Sequence, residues 1–483
     1  MTSGVAHHDS PFALGPDAER LLAERAERAV AFARRDRGTA VASVTVPLPA
    51  GLDLSAVVLA ARTGDDRFFC LEQPDRAGFA LAGLGVAVAL EAAGPGRFEQ
   101  VSRRLRDLGR RTLADDPGRD PSRPPAAGPV FVGGFAFAHD GGRAPEWSSL
   151  PPVALVLPDV ALSRYGDETR LTLNLAAEGD EAPEALVDRG RARLASLAPA
   201  SMPLLDPDPL GRARVAGAAP PAHYEAAVAR AVERIAAGEI EKIVLAREVR
   251  VHGTADHAPG PVLDALRAAF PACYCWCVGT PELAFVGASP ELLVRRDGAR
   301  AQTVALAGTT RRSADPAVDD HLGEQLLRSA KDRAEQQIVA RRIERTLDPV
   351  SLWVTAGEEP GLAKVQNVQH LATPIRAQLA RPLGALELAG LLHPTPAVGG
   401  EPRSAAEPLI PALEGLDRGW YAGGVGWTDL AEDGEFCVAL RCALLRGRTA
   451  HLYAGCGIVR DSVPAEELAE TEVKLQALLP LLS

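Results

Sequence analysis

Apolar positions repeat with one period in some stretches and another elsewhere, and the alternation predicts the elements. Residues 17–36 set Ala, Leu and Val among Arg and Glu at helical spacing. Short apolar runs follow at Val41–Val46, Phe68–Leu71, Val130–Phe137, Val153–Leu157 and Leu171–Leu173. Several are separated by Gly or Asp, which predicts an antiparallel sheet. Tyr224, Val228, Ala231, Val232 and Ile235 return to helical spacing, with Gly238 placed to end the helix. A strand from Lys242 to Val251, a helix near 261–269 and three strands reaching about Ala307 come next. One long helix is predicted over Val318–Leu347, then strands at 421–428, 436–446 and 449–454 and a last helix from Pro464. Phe436–Arg446 and Thr449–Ala454 read as a hairpin about Gly447 and Arg448. Strands in neighbouring runs with helices between them predict an α+β fold: a layered antiparallel-sheet core with surrounding helices, not a doubly wound parallel sheet.

Two stretches read as connections. Residues 113–128 are rich in Pro, Gly and Asp and predict a loop. Residues 196–222 carry six prolines and little periodicity. They divide an N-terminal subregion, 1–210, which shares the sheet core, from a catalytic region, 215–483. The chain's 483 residues, 47% of them apolar, are ample for one or two sizeable cores. A net charge of −11 excludes a general nucleic-acid surface. The arginines between Arg103 and Arg111 read as the solvated face of a helix. Cys273, Cys275 and Cys277 alternate with Tyr274 and Trp276, so all three thiols fall on one strand face. No second ligand pair at zinc spacing accompanies them, and small apolar filler is the reading. Residues 1–15 lack a charged segment followed by an apolar core, and no apolar run approaches the ~18 residues of a membrane span. The expected location is the cytoplasm, with no membrane contact.

Chemistry enters at two carboxylate pairs. Asp332 and Glu335 share a face of the long predicted helix, and Glu467 and Glu470 share a face of the last one, with Lys474 four residues on. Brought together, the two faces make an oxygen-rich pocket suited to Mg2+. Spacing alone favours ordinary surface ion pairs such as Lys331–Glu335 and Glu470–Lys474. Gly455-Cys456-Gly457 ends a strand shortly before a helix, where bare amides can cradle an anion or merely turn the chain. Arg441 falls inside the predicted strand on the face of Cys437, Ala439 and Ala443, where it needs either a substrate carboxylate or a buried ion-pair partner. Lys242 heads an apolar strand. A lysine pressed against such surroundings loses proton affinity and can act as a base, although taken alone the position is more often that of an edge lysine that snorkels to water. Glu291, after Ser289-Pro290, is a matching acid or simply the first residue past a proline.

Read together, these segments resemble the chorismate-utilising enzymes, the family of isochorismate, salicylate, anthranilate and aminodeoxychorismate synthases. The matching stretches begin with Lys242-Ile-Val-Leu-Ala-Arg247, Phe285-Val-Gly-Ala-Ser-Pro-Glu-Leu-Leu293, Ala305-Leu-Ala-Gly-Thr309 and Lys331-Asp-Arg-Ala-Glu335. They continue through Val368-Gln-His370, His393-Pro-Thr-Pro-Ala-Val398, Arg418-Gly-Trp-Tyr-Ala-Gly-Gly-Val-Gly426 and Gly455-Cys-Gly-Ile-Val459, and finish at Glu467, Glu470 and Lys474. The resemblance covers most of residues 223–478 and is weaker upstream, around Glu72-Gln-Pro-Asp75 and Val132-Gly-Gly-Phe135. It implies that Glu335 and Glu470 bind Mg2+, with Asp332 and Glu467 holding its waters. It also implies that Arg441, Tyr421 and the amides near Gly455 and Gly457 grip the enolpyruvyl carboxylate of chorismate. Ala307, Gly308, Thr309, His370, Ala397 and Lys474 would complete the substrate pocket.

Members of the family differ at a few positions. Ala307 stands where aminodeoxychorismate synthases carry a nucleophilic lysine, and Lys242 where anthranilate synthases usually have glutamine. His393-Pro-Thr-Pro-Ala-Val398 looks like the segment of isochorismate synthases. The resemblance therefore implies water addition at C2 of chorismate with Lys242 as base, loss of the C4 hydroxyl with Glu291 as acid, and no obligatory glutaminase partner. Salicylate synthase, which goes on to eliminate pyruvate, is the alternative. Whether the product feeds quinone (menaquinone) or siderophore synthesis depends on neighbouring enzymes. Three positions depart from the family: Gln336 replaces a common His, Gly424 a proline and Cys456 an Ala.

Overall fold

The computed structural model describes residues 10–115, 125–205, 211–365 and 368–483. Most of the predicted 113–128 loop and part of the 196–222 connection lie outside them. Two large sheets, of thirteen and ten strands, pack face to face. Pairing is antiparallel apart from Ala40–Pro47 with Thr112–Leu113. The class is the predicted one, with helices over the outer faces.

Both sheets take strands from either side of residue 210. In the larger sheet, Phe68–Gln73 pairs with Tyr274–Gly279. In the smaller, Val130–Phe135 pairs with Gly424–Asp429. Between the sheets lies a core that includes Phe69, Phe131, Phe135, Trp276, Phe285 and Phe436. A second core lies on the outer face of the larger sheet, beneath helices such as Pro16–Asp36 and Pro259–Ala269. The strand Tyr274–Gly279 feeds both cores: Tyr274, Trp276 and Val278 point between the sheets, while Cys275 and Cys277 join the outer core. All seven cysteines are free and buried, and the three near this strand serve as small filler.

Most predicted elements form. The helix Pro221–Ala236 ends at Gly238, whose φ of 77° suits glycine at that position. Three expectations change. The helix predicted over Val318–Leu347 is two, Pro316–Arg328 and Ala330–Leu347, parted at Ser329. Ser329 is extended, and its hydroxyl accepts the Asp332 N–H at 3.2 Å as an N-cap. No Gly or Pro marks the break, so periodicity ran through it. The three strands expected before Ala307 are four, ending in Arg300–Arg311. The strand predicted over Phe436–Arg446 is also two. Gly434–Val438 belongs to the smaller sheet, and Cys442–Arg446 to the larger, where it forms the expected hairpin with Thr449–Ile458. The chain changes sheets at Arg441, whose φ of 49° turns it. Arg441 is therefore not a strand residue facing Cys437 and Ala443; it sits at the crossover.

Candidate active site

One cavity gathers the residues singled out from sequence. It is walled by the ends of strands from both sheets and by the helices Ala330–Leu347 and Pro464–Leu475. Glu291, Ala307, Gly308, Thr309, His370, Ala397, Tyr421, Arg441, Gly455, Gly457 and Lys474 all line it, together with Asp332, Glu335, Glu467 and Glu470. Lys242 stands just behind the wall. It shares a strand face with Val244, which lines the cavity, and its strand pairs with Thr449–Ile458 so that Val244 opposes Gly457.

The two carboxylate faces meet at this cavity, and only one of their ion-pair partners was foreseen. Lys242 Nζ, wholly buried, lies 2.9 Å from Glu335 Oε1. The pair is close yet poorly aligned for a hydrogen bond, and the ammonium has no other hydrogen-bond partner among the described residues. Lys331, expected to pair with Glu335, instead reaches Glu467 at 3.4 Å. Glu470 does pair with Lys474, at 2.6 Å. Burial raises the Glu470 carboxyl, but Lys474 outweighs it and the group titrates below its ordinary range. Burial, opposed by Ser329 and reinforced by Glu335, pushes Asp332 up. Burial also pushes Glu467 up, with Ser462 opposing and Glu470 adding to the shift. Glu467, Glu470 and Cys456 bring ligand atoms within 4.8 Å of one another.

Glycines keep this region open. The pairing of Arg300–Arg311 with Val368–Leu379 bulges between Ala307 and Thr309, and Gly308 takes φ 71° there. A Cβ at Gly308 would lie 2.9 Å from Asp332 Cβ. At Gly457 a Cβ would collide with Glu335 Oε1 and approach Lys242 Cε to 2.9 Å. Thr309 Oγ1 and His370 Nδ1 lie 3.0 Å apart. Burial, with Arg441 and Lys474 adding, pushes His370 down to about 3, so the ring is neutral.

On the other side, the Arg441 guanidinium makes no hydrogen bond or ion pair among the described residues, while its backbone O accepts the Ala288 N–H at 3.1 Å; the buried ion pair weighed for it does not form. Tyr421 stacks on Tyr453 with centroids 5.2 Å apart. Lys474 Nζ donates to Gly455 O at 2.8 Å. Burial works against its charge, but Cys456 and Glu470 overcome that and hold the ammonium above its usual range. Burial pushes Glu291 up to about 7, held from going further by Lys242, Arg441 and Lys474.

Sequence reasoning passed over Tyr453, Lys331 and Val398, which also line the cavity. Tyr453 was legible from strand alternation with Gly455 and Gly457, and Lys331 from its place beside Asp332. Gln336 is buried and donates to Ala305 O at 2.9 Å and Thr373 Oγ1 at 3.0 Å, tying its helix to the sheet. Cys456 points away from the cavity, into the small core of Tyr224 and Leu245.

The fold and this cavity define a class, and comparison with known proteins agrees: residues 25–483 match the chorismate binding enzyme family, to which the chain belongs. The salicylate biosynthesis isochorismate synthase of Pseudomonas aeruginosa is 39% identical over 413 residues, 85% of this chain and 84% of that protein. The isochorismate synthase MenF of Bacillus subtilis is 34% identical over 74% of this chain and 75% of its own length. Among solved structures, the menaquinone-specific isochorismate synthase MenF of Escherichia coli superposes with a TM-score of 0.77 at 27% identity, covering 95% of this chain and 99% of that one. Anthranilate synthase component I of Streptococcus pneumoniae, 19% identical over 83% of this chain and 92% of its own, shares the fold with a TM-score of 0.67.

Proposed function

We infer that this chain is an isochorismate synthase, an isomerase that converts chorismate to isochorismate. The observation that carries the reading is the placement of Glu291 on the wall of one cavity and Lys242 just behind it: a carboxyl raised to about 7 and a buried lysine within electrostatic reach of it. Acting as the neutral amine, its own proton first given up, Lys242 Nζ takes a proton from the water that attacks C2. The ring double bonds shift, and Glu291 delivers its proton to the departing C4 hydroxyl. A carboxyl of ordinary acidity would be ionised at neutral pH; one near 7 still holds a proton to give.

Four carboxylates facing one cavity, two of them pushed up by burial, are a hard-oxygen donor set that fits Mg2+. Glu335 and Glu470 would hold the ion directly, and Asp332 and Glu467 through its waters. When bound, it supplies positive charge against the ring carboxylate of chorismate. With Glu335 holding the ion, Lys242 would lose its present partner and be left to the water. Arg441, whose guanidinium has no partner among the described residues, takes the enolpyruvyl carboxylate together with Tyr421 and the amides near Gly455 and Gly457. His370, kept neutral, lines the ring with Thr309, Gly308, Ala307, Ala397 and Lys474.

The division at residue 210 belongs to this reading, with residues 215–483 carrying the chemistry and 1–210 extending the sheets. So does a cytoplasmic location, which seven unpaired cysteines fit; no described helix is long and apolar enough to cross a membrane. No glutaminase partner is required, since the nucleophile is water. The test is incubation of the purified chain with chorismate and Mg2+, without glutamine, followed by chromatography and a lactate-dehydrogenase assay for pyruvate. A reversible mixture of chorismate and isochorismate is expected. Stoichiometric pyruvate without an added lyase would make the enzyme a salicylate synthase instead.

A further inference from the structure

Away from the catalytic cavity lies a larger one, of about 1020 Å3. It opens between the first turn of the helix Arg97–Gly109, the segment 137–144 and the helix Arg403–Glu414. Most charges on its wall are matched. Asp417 accepts the backbone N–H groups of Gly142, Arg143, Ala144 and Gly419. Glu407 accepts from Arg403 Nε at 2.9 Å, and Asp140 lies 2.8 Å from Arg143. The exposed Glu99 has no partner among the described residues, and Arg97 is the buried exception. It is 3% exposed, its Nη2 donates to Ala136 O at 2.9 Å, and its Nε has no hydrogen-bond partner. No carboxylate among the described residues lies within ion-pair distance of it. Burial, with the Arg403 charge adding, pushes the guanidinium down to about 10. A second buried polar atom, His393 Nδ1, also lacks a partner on this wall. Glu407, Asp140 and Glu99 oppose the Arg97 shift from beyond ion-pair distance; a buried cation with no carboxylate in contact is costly in the free protein and is better balanced when an anion arrives. Its surroundings are aromatic: Arg97 lies 4.7 Å over the Phe98 ring and Arg418 4.3 Å over Phe137.

We propose that this cavity is a second ligand site that takes a single-ring aromatic carboxylate, with its carboxylate on Arg97 and Arg403 and its ring against Phe98 and Phe137. Arg418 joins the site to the catalytic cavity. It lines the larger cavity while donating to Val398 O at 2.8 Å and Val244 O at 2.9 Å, and both of those residues line the smaller one. Arg403 Nη1 donates to His393 O at 2.9 Å, at the head of the segment that carries Ala397 and Val398. Occupancy therefore changes the KM for chorismate. This coupling rests on the catalytic reading above; the binding does not.

Benzoate is the probe, titrated calorimetrically into the full chain, with benzyl alcohol as the neutral control. Saturable binding of benzoate but not of the alcohol is expected, weakened at least tenfold by Arg97→Gln or Arg403→Gln. Ala138→Trp, which fills the cavity from its rim, should abolish binding with basal turnover unchanged, and it serves if Arg97→Gln does not fold. Arg441→Ala should bind benzoate as the parent does. Binding that survives both Arg97→Gln and Ala138→Trp, or is lost in Arg441→Ala, overturns the site. A chorismate KM that moves less than twofold under saturating benzoate overturns the coupling. Failure of the chain to turn over chorismate at all would sink the catalytic reading and leave the binding result standing.

Discussion

Replacing Glu291 with Gln exchanges one carboxyl oxygen for an amide and nearly preserves volume, so its effects report ionisation more than packing. The side chain is 6% exposed, and burial raises its carboxyl from the ordinary 4.5 to about 7. Below pH 4.5 the folded and unfolded chains both hold this proton. Between 4.5 and 7 the folded chain keeps a proton that the unfolded chain releases, so stability falls as pH rises. Above 7 the full penalty stands, about 3 kcal/mol at ~1.4 kcal/mol per pH unit. Gln cannot ionise. Glu291→Gln should therefore be more stable than the parent by up to about 3 kcal/mol at pH 8.5, and the gain should shrink toward pH 5. Turnover should move the other way, falling roughly 10²-fold or more with the loss of a positioned acid. In the parent, kcat/KM should decline as pH rises through about 7. Urea denaturation at pH 5 and pH 8.5 measures the first effect, and a pH–rate profile the second. A stability difference of the same size at both pH values, or a parent more stable at pH 8.5, would refute the assignment of a buried, proton-holding carboxyl.

Gly457→Ala should abolish most turnover while leaving far-ultraviolet circular dichroism unchanged, because its Cβ displaces Glu335 and crowds Lys242; near-parent activity would mean that Glu335 has another working position. Chelation with EDTA should stop turnover reversibly without unfolding the chain, since the ion neutralises substrate and does not close a core. Glu335→Ala and Glu470→Ala should weaken this metal dependence strongly, whereas Glu472→Ala should not, because Glu472 pairs outside the cavity with Arg247 at 2.5 Å. Lys242→Ala should lower kcat about 10²-fold with little change in KM, and Arg441→Ala should mainly raise KM, as steady-state kinetics would separate. Ser329→Ala should cost about 1 kcal/mol of stability as a lost N-cap, and it should also weaken Mg2+ binding, because Ser329 donates to Asp332; unchanged metal affinity by calorimetry would confine Ser329 to capping.

The sequence by itself determined the period of each element, and hence which side chains share a face. That was enough to bring Asp332 beside Glu335 and Glu467 beside Glu470, to predict the hairpin at Gly447, and to assign Cys275 and Cys277 to one side of their strand. With the quoted motifs it also carried the family, because those motifs fill a single cavity. What period cannot state is which face meets which, since that depends on strands far apart in the chain packing to bury the largest apolar area. Only the tertiary structure showed that Lys242 faces Glu335, that Lys331 turns to Glu467, and that Arg441 stands free at a crossover between sheets. Neither the crossover nor the break at Ser329 carries a Gly or Pro: the first is held by Ala288, far off in the chain, and the second by a local cap on Asp332 that the unbroken helical period conceals. The unpaired charge of Arg97 was equally out of reach. An arginine at the start of a helix looks solvated in sequence, and here the packing of two sheets and a second helix takes it out of water.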